Sequence, residues 1–195
     1  MKSKKTKVIV ISFIVLVVVA IVIFFIMNNI QKKKEEEERI KIEQMENEIK
    51  NTIALTSNKI VVNTSQATKF LNIYIDAYNK YSISMGEENV RNQLLEYSGT
   101  QELFNTMKEN DNIIIENMGF LSKNKSTEYN EVYEVLLDMY DAYRYYYDKV
   151  TTLSVYSSNL AEVKEKGNLV LEKVNRIIVM KPELEEAINT GKIEE

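Results

Sequence analysis

The sequence predicts an all-α fold: a single N-terminal transmembrane helix followed by an elongated antiparallel helical bundle, expected to hold three long helices. Three observations lead there. Only five glycines and one proline occur in 195 residues, so breaks are few and elements long. Beyond the N-terminus the apolar residues recur at steps of three and four, the spacing of one helix face. No stretch alternates apolar and polar residues between turn signals, as a half-buried strand does.

The chain opens with a short basic tail, residues 1–7, holding Lys2, Lys4, Lys5 and Lys7. Val8 to Met27 then form an apolar run with Ser12 its only polar member. Twenty helical residues rise ~30 Å, the hydrocarbon thickness of a bilayer, so residues 8–27 read as a transmembrane helix. A cleaved signal would need a small-x-small site. The one candidate, Val18-Val19-Ala20, is followed by seven more apolar residues, so an uncleaved signal anchor is expected. Lysines near the ends set orientation. Four precede the run and Lys32, Lys33 and Lys34 follow it, which favours a cytoplasmic N-terminus, single-pass insertion in the cell membrane and an extracytoplasmic C-terminal domain.

The bundle is expected over residues 28–181. The charged run Lys32 to Arg39 places opposite charges at i,i+4, favours helix, and is expected to carry the anchor helix straight into the first bundle helix, Gln31 to Ser82. One face of that helix reads Ile42, Met45, Ile49, Thr52, Thr56, Ile60, Asn63, Ala67, Phe70, Tyr74, Ala77, Tyr81. Its polar middle predicts looser packing. Ser84 with Glu87 three residues on marks a break with a capping-box pattern.

The second segment, Glu88 to Met118, gives Val90, Leu94, Tyr97 and then Leu103, Met107, Asp111, Ile114, Met118. Ser98-Gly99-Thr100 is a weak break within it, and Asn110-Asp111-Asn112 a place to bend. Gly119 and the polar stretch Ser122 to Ser126 end it.

The third segment carries two stripes. One is Val132, Val135, Met139, Ala142, Tyr146, Val150, Leu153, Ser157, Leu160; the other is Tyr129, Tyr133, Leu136, Tyr140, Tyr143, Tyr147. Together they make a wide apolar face, which suits a bundle better than the narrow seam of a two-stranded coiled coil. Gly167 falls on the same seam, where a missing side chain permits close approach. A single helix from Thr127 to Val179 would be ~80 Å long, near the ~78 Å of the first. Met180-Lys181-Pro182 ends it, and residues 182–195 read as a charged, frayed C-terminal tail.

Composition excludes several chemistries. There is no His, Cys or Trp. Ser-His-Asp triads, thiol nucleophiles, His or Cys metal sites and disulfides are therefore impossible within this chain. No glycine-rich phosphate loop occurs and no cofactor is implied. The first 34 positions hold seven of the 25 basic residues and none of the 29 acidic ones, leaving the remainder at a net charge of −11. Such a domain repels nucleic acid. Abundant Ile, Lys, Asn, Glu and Tyr suggest a low-G+C, bacterial source.

Tyr129, Tyr133, Tyr140, Tyr143, Tyr145 and Tyr147 form the candidate interaction surface, since tyrosine is enriched at interfaces. Tyr146 and Tyr156 lie close by in sequence. The competing and commoner arrangement puts such rings in the core and their hydroxyls toward water. Tyr145 faces away from both stripes and is expected to be the most exposed. Glu131, Glu134, Asp138, Asp141 and Asp148 share the third helix, but without the His of a di-metal bundle they read as a solvated face. The sequons at Asn63 and Asn124 are short and common. The functional expectation is a membrane-anchored, non-enzymatic interaction or scaffold protein of the bacterial cell envelope, binding a protein partner or itself through helices. The alternative is a ligand-sensing or immunity module with its pocket around Thr56 and Asn63.

Overall fold

The computed structural model describes residues 2–124 and 126–192, with side chains from Ile23 onward. The helices are α1 (Lys2–Met85), α2 (Glu87–Glu96), α3 (Ser98–Lys123), α4 (Asn130–Thr151), α5 (Leu160–Met180) and α6 (Glu185–Thr190), with a 3-10 turn at Pro182–Leu184. No strand occurs among the described residues. The chain divides into two units, Met1–Met45 and Glu46–Glu195.

The first unit is helical, and its described side chains are exposed. Arg39 pairs with Glu36 at 2.7 Å, one turn away on the same helix. Of the apolar run, positions 8–22 lie outside the residues whose side chains are described. Among the described residues no helix is long and apolar enough to cross a membrane. This corrects the expected transmembrane helix at residues 8–27 and the single-pass cell-membrane localisation.

The second unit is a four-helix bundle rather than one of three. Hydrogen bonds fix the directions. Asn63 of α1 meets Tyr143 of α4, and Thr68 meets Tyr146, so α1 and α4 run the same way. Asn63 also meets Met107 of α3, while Ile49 shares a cluster with Leu121, so α3 runs opposite. Lys173 reaches Asp138 at 2.6 Å and Gly167 lies against Tyr146, so α5 runs opposite to α4.

The expected helix from Thr127 to Val179 is therefore two helices folded back on each other. The turn has a specific cause. Ser154 N–H donates to Lys149 C=O at 2.9 Å and Leu153 N–H to Val150 C=O at 3.2 Å, the paired bonds of a Schellman stop. Leu153 takes the left-handed position at φ 48°. That conformation costs a leucine about 1–2 kcal/mol. Complete burial of its side chain offsets the cost. Asn159 closes the turn, its Oδ1 accepting from Tyr156 N–H and its Nδ2 donating to Ser154 C=O.

The second segment also splits. Tyr97 is extended between α2 and α3, so the weak signal at Ser98-Gly99 is a true break. The helix runs unbroken through Asn110-Asp111-Asn112. Gly86, at φ 80°, ends α1 and caps α2 without a side-chain bond. The capping box is not formed; Ser84 Oγ donates to Tyr81 C=O instead.

Two clusters make the core. The larger joins Ile53 and Ile60 of α1, Ile114 of α3, Leu136 and Met139 of α4, and Val170 and Ile177 of α5. The smaller is aromatic, with Phe70 edge-on to Phe104 at 4.8 Å beside Tyr74, Tyr146 and Val163. The C-terminal tail belongs to the first cluster rather than fraying: Leu184 and Ile188 are buried, and Asn58 Nδ2 donates to Ile188 C=O at 2.7 Å. Gly191 caps α6 at φ 67°, where a Cβ would meet Asn58 Oδ1 at 2.9 Å. Replacing Gly191 with alanine is expected to cost about 1–2 kcal/mol and to loosen this clasp. Faster amide exchange over residues 184–190, with the α4 interior unchanged, would register it.

Candidate functional site

The polar middle of α1 is where the sequence places a pocket. Its apolar period brings Asn63 to the bundle interior, where it is fully buried. The same period on α3 brings Asn110 and Asp111 inward, and on α4 Tyr143. Asn63 Nδ2 donates to Met107 C=O at 2.8 Å and to the Tyr143 hydroxyl at 2.9 Å. Asn63 Oδ1 accepts from Asn110 Nδ2 at 3.0 Å. The Tyr143 hydroxyl donates to Asp111 Oδ1 at 3.0 Å. Arg144 closes the chain, one nitrogen donating to both Asp111 oxygens at 2.8 and 2.7 Å. Asp111 is nearly buried while Arg144 reaches solvent, so the network runs from the core to the surface.

This arrangement is packed, not hollow. Thr56 is also fully buried and bonds back to Thr52 C=O at 2.6 Å. No cavity among those described is lined by Thr56 or Asn63. The expectation of looser packing survives only in two buried hydroxyls without partners, Ser57 and Thr64. Burial also removes Asn63 as a glycan acceptor in the folded chain; the second sequon includes Lys125, outside the described residues.

The tyrosines divide by depth. Tyr129 and Tyr143 are buried, as is Tyr146, which takes the first two out of the candidate surface. Tyr133, Tyr140, Tyr145 and Tyr147 are half-buried. Tyr140 and Tyr147 flank Tyr143 at centroid distances of 6.5 and 5.4 Å, so these rings pack mainly on one another. Tyr145 sits beside Lys149 and is half-buried, whereas Tyr156, outside the candidate surface, is exposed. Cations border the group, with Lys181 over Tyr129 at 4.6 Å and Arg144 near Tyr147 at 5.9 Å.

Burial pushes the Tyr143 phenol well above its ordinary value of 10.0 and raises that of Tyr146 as well. The unfolded chain therefore ionises these groups first, and their contribution is fully present below about pH 10. Above that it is lost, at up to about 1.4 kcal/mol per pH unit for each phenol. Urea titrations at rising pH are expected to show stability falling from about pH 10, with a shallower fall in Tyr143→Phe. An equally steep fall in that variant would remove Tyr143 from the explanation.

Glu131, Glu134, Asp138, Asp141 and Asp148 lie on the exposed side of α4. Asp138 pairs with Lys173, which holds its carboxyl below the usual range. Among the described residues no group of three or more His, Cys, Asp or Glu could hold a metal ion.

A different surface stands out, one that the tyrosine count did not indicate. Where α1 ends and α2 turns back, Ala77, Tyr81, Met85, Val90, Leu94 and Tyr97, with Gln93 the one polar member, line a groove of about 210 Å³. Tyr97 is 65% exposed and Tyr81 41%. The sequence signal was present but misread: Ala77 and Tyr81 extend the core stripe of α1 past the end of its partners. Comparison with protein-family models, curated proteins and solved structures gives no match.

Proposed function

We propose that residues 46–195 act as a non-enzymatic helical interaction module that docks a protein partner, or a second copy of the chain, through the groove formed by the end of α1 and by α2. The carrying observation is the groove itself, with Tyr81 and Tyr97 in its wall left exposed to water. A contiguous apolar surface costs solubility unless something covers it, and such patches mark interaction sites. A helix face presenting apolar side chains at i and i+4 is the complement. The acidic domain favours a basic rim on that partner. The non-enzymatic part is supported by the absent His and Cys and by an interior whose amide, carboxylate and phenol at Asn63, Asp111 and Tyr143 are already bonded to one another. That same bonding leaves a ligand pocket at Thr56 and Asn63 without support.

The test is substitution at the two exposed tyrosines of the groove. Tyr81→Glu with Tyr97→Glu is expected to lower association, read by light scattering and by cross-linked complexes from cells, without shifting the unfolding midpoint. Unchanged association would sink the proposal.

A further inference from the structure

A second cavity, of about 120 Å³, opens to solvent beside the α4–α5 turn. Its wall is largely aromatic. Tyr74 and Tyr78 stand one turn apart on α1, with ring centroids at 6.1 Å and planes tilted by 53°. Tyr156 faces in from the turn, Ile75, Val155 and Leu160 complete the apolar wall, and Asn79 and Ser157 add two neutral polar groups. The one charged side chain in the wall is the carboxylate Glu87, 42% exposed. The volume approaches that of the ~150 Å³ apolar cavities that accept benzene.

Rings with a carboxylate among them form a recognition chemistry for cations. The face of a tyrosine ring is electron-rich and attracts a cation stripped of part of its water. A quaternary ammonium suits such a wall best, because it has no N–H to satisfy and its methyl groups tolerate an apolar surface. The chain already uses the principle with its own cation. The Arg91 guanidinium lies 5.2 Å from the Tyr156 ring centre and 3.9 Å from Glu87. That internal cation is held by the hydroxyls of Tyr156 and Tyr74 rather than by the carboxylate: the contact with Glu87 is long, and the buried Arg91 Nε has no acceptor. An anionic ligand would lie against Glu87, the wall's own carboxylate, which disfavours it.

We propose that this cavity binds a small organic cation bearing a quaternary ammonium group, with Tyr74, Tyr78 and Tyr156 as its ring walls and Glu87 as its counter-charge. Arg91 competes for Tyr156 and Glu87 and sets the affinity low. The site is separate from the groove at α2 and does not depend on it.

The test titrates the full chain with choline and with the neutral choline analogue in which carbon replaces nitrogen, followed by NMR of isotope-labelled tyrosine rings. Choline is expected to give saturable shifts at Tyr74, Tyr78 and Tyr156, and the neutral analogue to bind more weakly. Tyr156→Leu is expected to weaken choline binding by about two- to tenfold. Glu87→Gln is expected to weaken it by about two- to fivefold, as suits a half-exposed charge. Arg91→Gln is expected to tighten it. Equal binding of the neutral analogue, absence of saturable shifts, or indifference to Glu87→Gln would overturn the proposal.

Discussion

Asn63→Leu is expected to destabilise the bundle by about 2–4 kcal/mol, although leucine is close to asparagine in size and belongs in a core. The reason lies in what it leaves behind. Asn63 supplies two donors and an acceptor to groups on α3 and α4. Without it the Asn110 amide loses its acceptor and the Tyr143 hydroxyl loses a donor, both in a site closed to water. Orphaning a buried polar group costs about 1–3 kcal/mol each, more than a net hydrogen bond contributes. The comparison that isolates this effect is Asn63→Leu combined with Asn110→Leu and Tyr143→Phe. Removing the partners together is expected to recover part of the loss, because no polar atom is then stranded. Equilibrium urea unfolding measures each variant, and strictly additive losses would show that these residues do not act as one network.

Gly167→Leu is expected to cost about 3 kcal/mol through overpacking. A Cβ at this position would stand 3.1 and 3.2 Å from two carbons of the Tyr146 ring. That ring cannot swing away freely, because its hydroxyl is bonded to Thr68 at 2.8 Å and its faces are enclosed in the smaller core cluster. Gly167→Ala separates the two effects. Alanine gains up to about 1 kcal/mol of helix propensity and meets the same tight contact, so its change should be small. Thermal unfolding of both variants decides the point: a leucine as well tolerated as alanine would mean that α4 and α5 do not approach closely here.

How much of this was legible follows from the kind of signal involved. Gly167 was readable, because a lone glycine on an apolar seam has few other uses. The buried stripes of α3, α4 and α5 were readable for the same reason: a helix face repeats, so each residue confirms its neighbours. Tyr143 was placed on the right face but given the wrong task, since spacing cannot separate a ring in the core from one at its edge. The turn after Thr151 was hidden. Its left-handed residue is Leu153 rather than glycine, and it is held there by burial, which no local pattern announces. Asn159, which secures the turn, looks like any polar residue on a helix. The tail misled because Leu184 and Ile188 are single apolar residues among charges, and their burial depends on a partner, Asn58, far away in the chain. At Thr56 and Asn63 polarity alone cannot tell an empty site from one whose partners arrive from other helices, and the partners of Asn63 come from α3 and α4.

The groove at the end of α1 follows from the same logic, since the apolar stripe runs on after the helices that cover it have ended. Cross-linking in cells with mass-spectrometric mapping tests that claim most directly. Lys80 is exposed and lies against the ring of Tyr81, a residue of the groove, whereas Lys164 and Lys173 lie on α5. The account predicts intermolecular cross-links concentrated at Lys80 and lost in the Tyr81→Glu, Tyr97→Glu variant. Cross-links concentrated on Lys164 and Lys173, and unchanged in that variant, would contradict it.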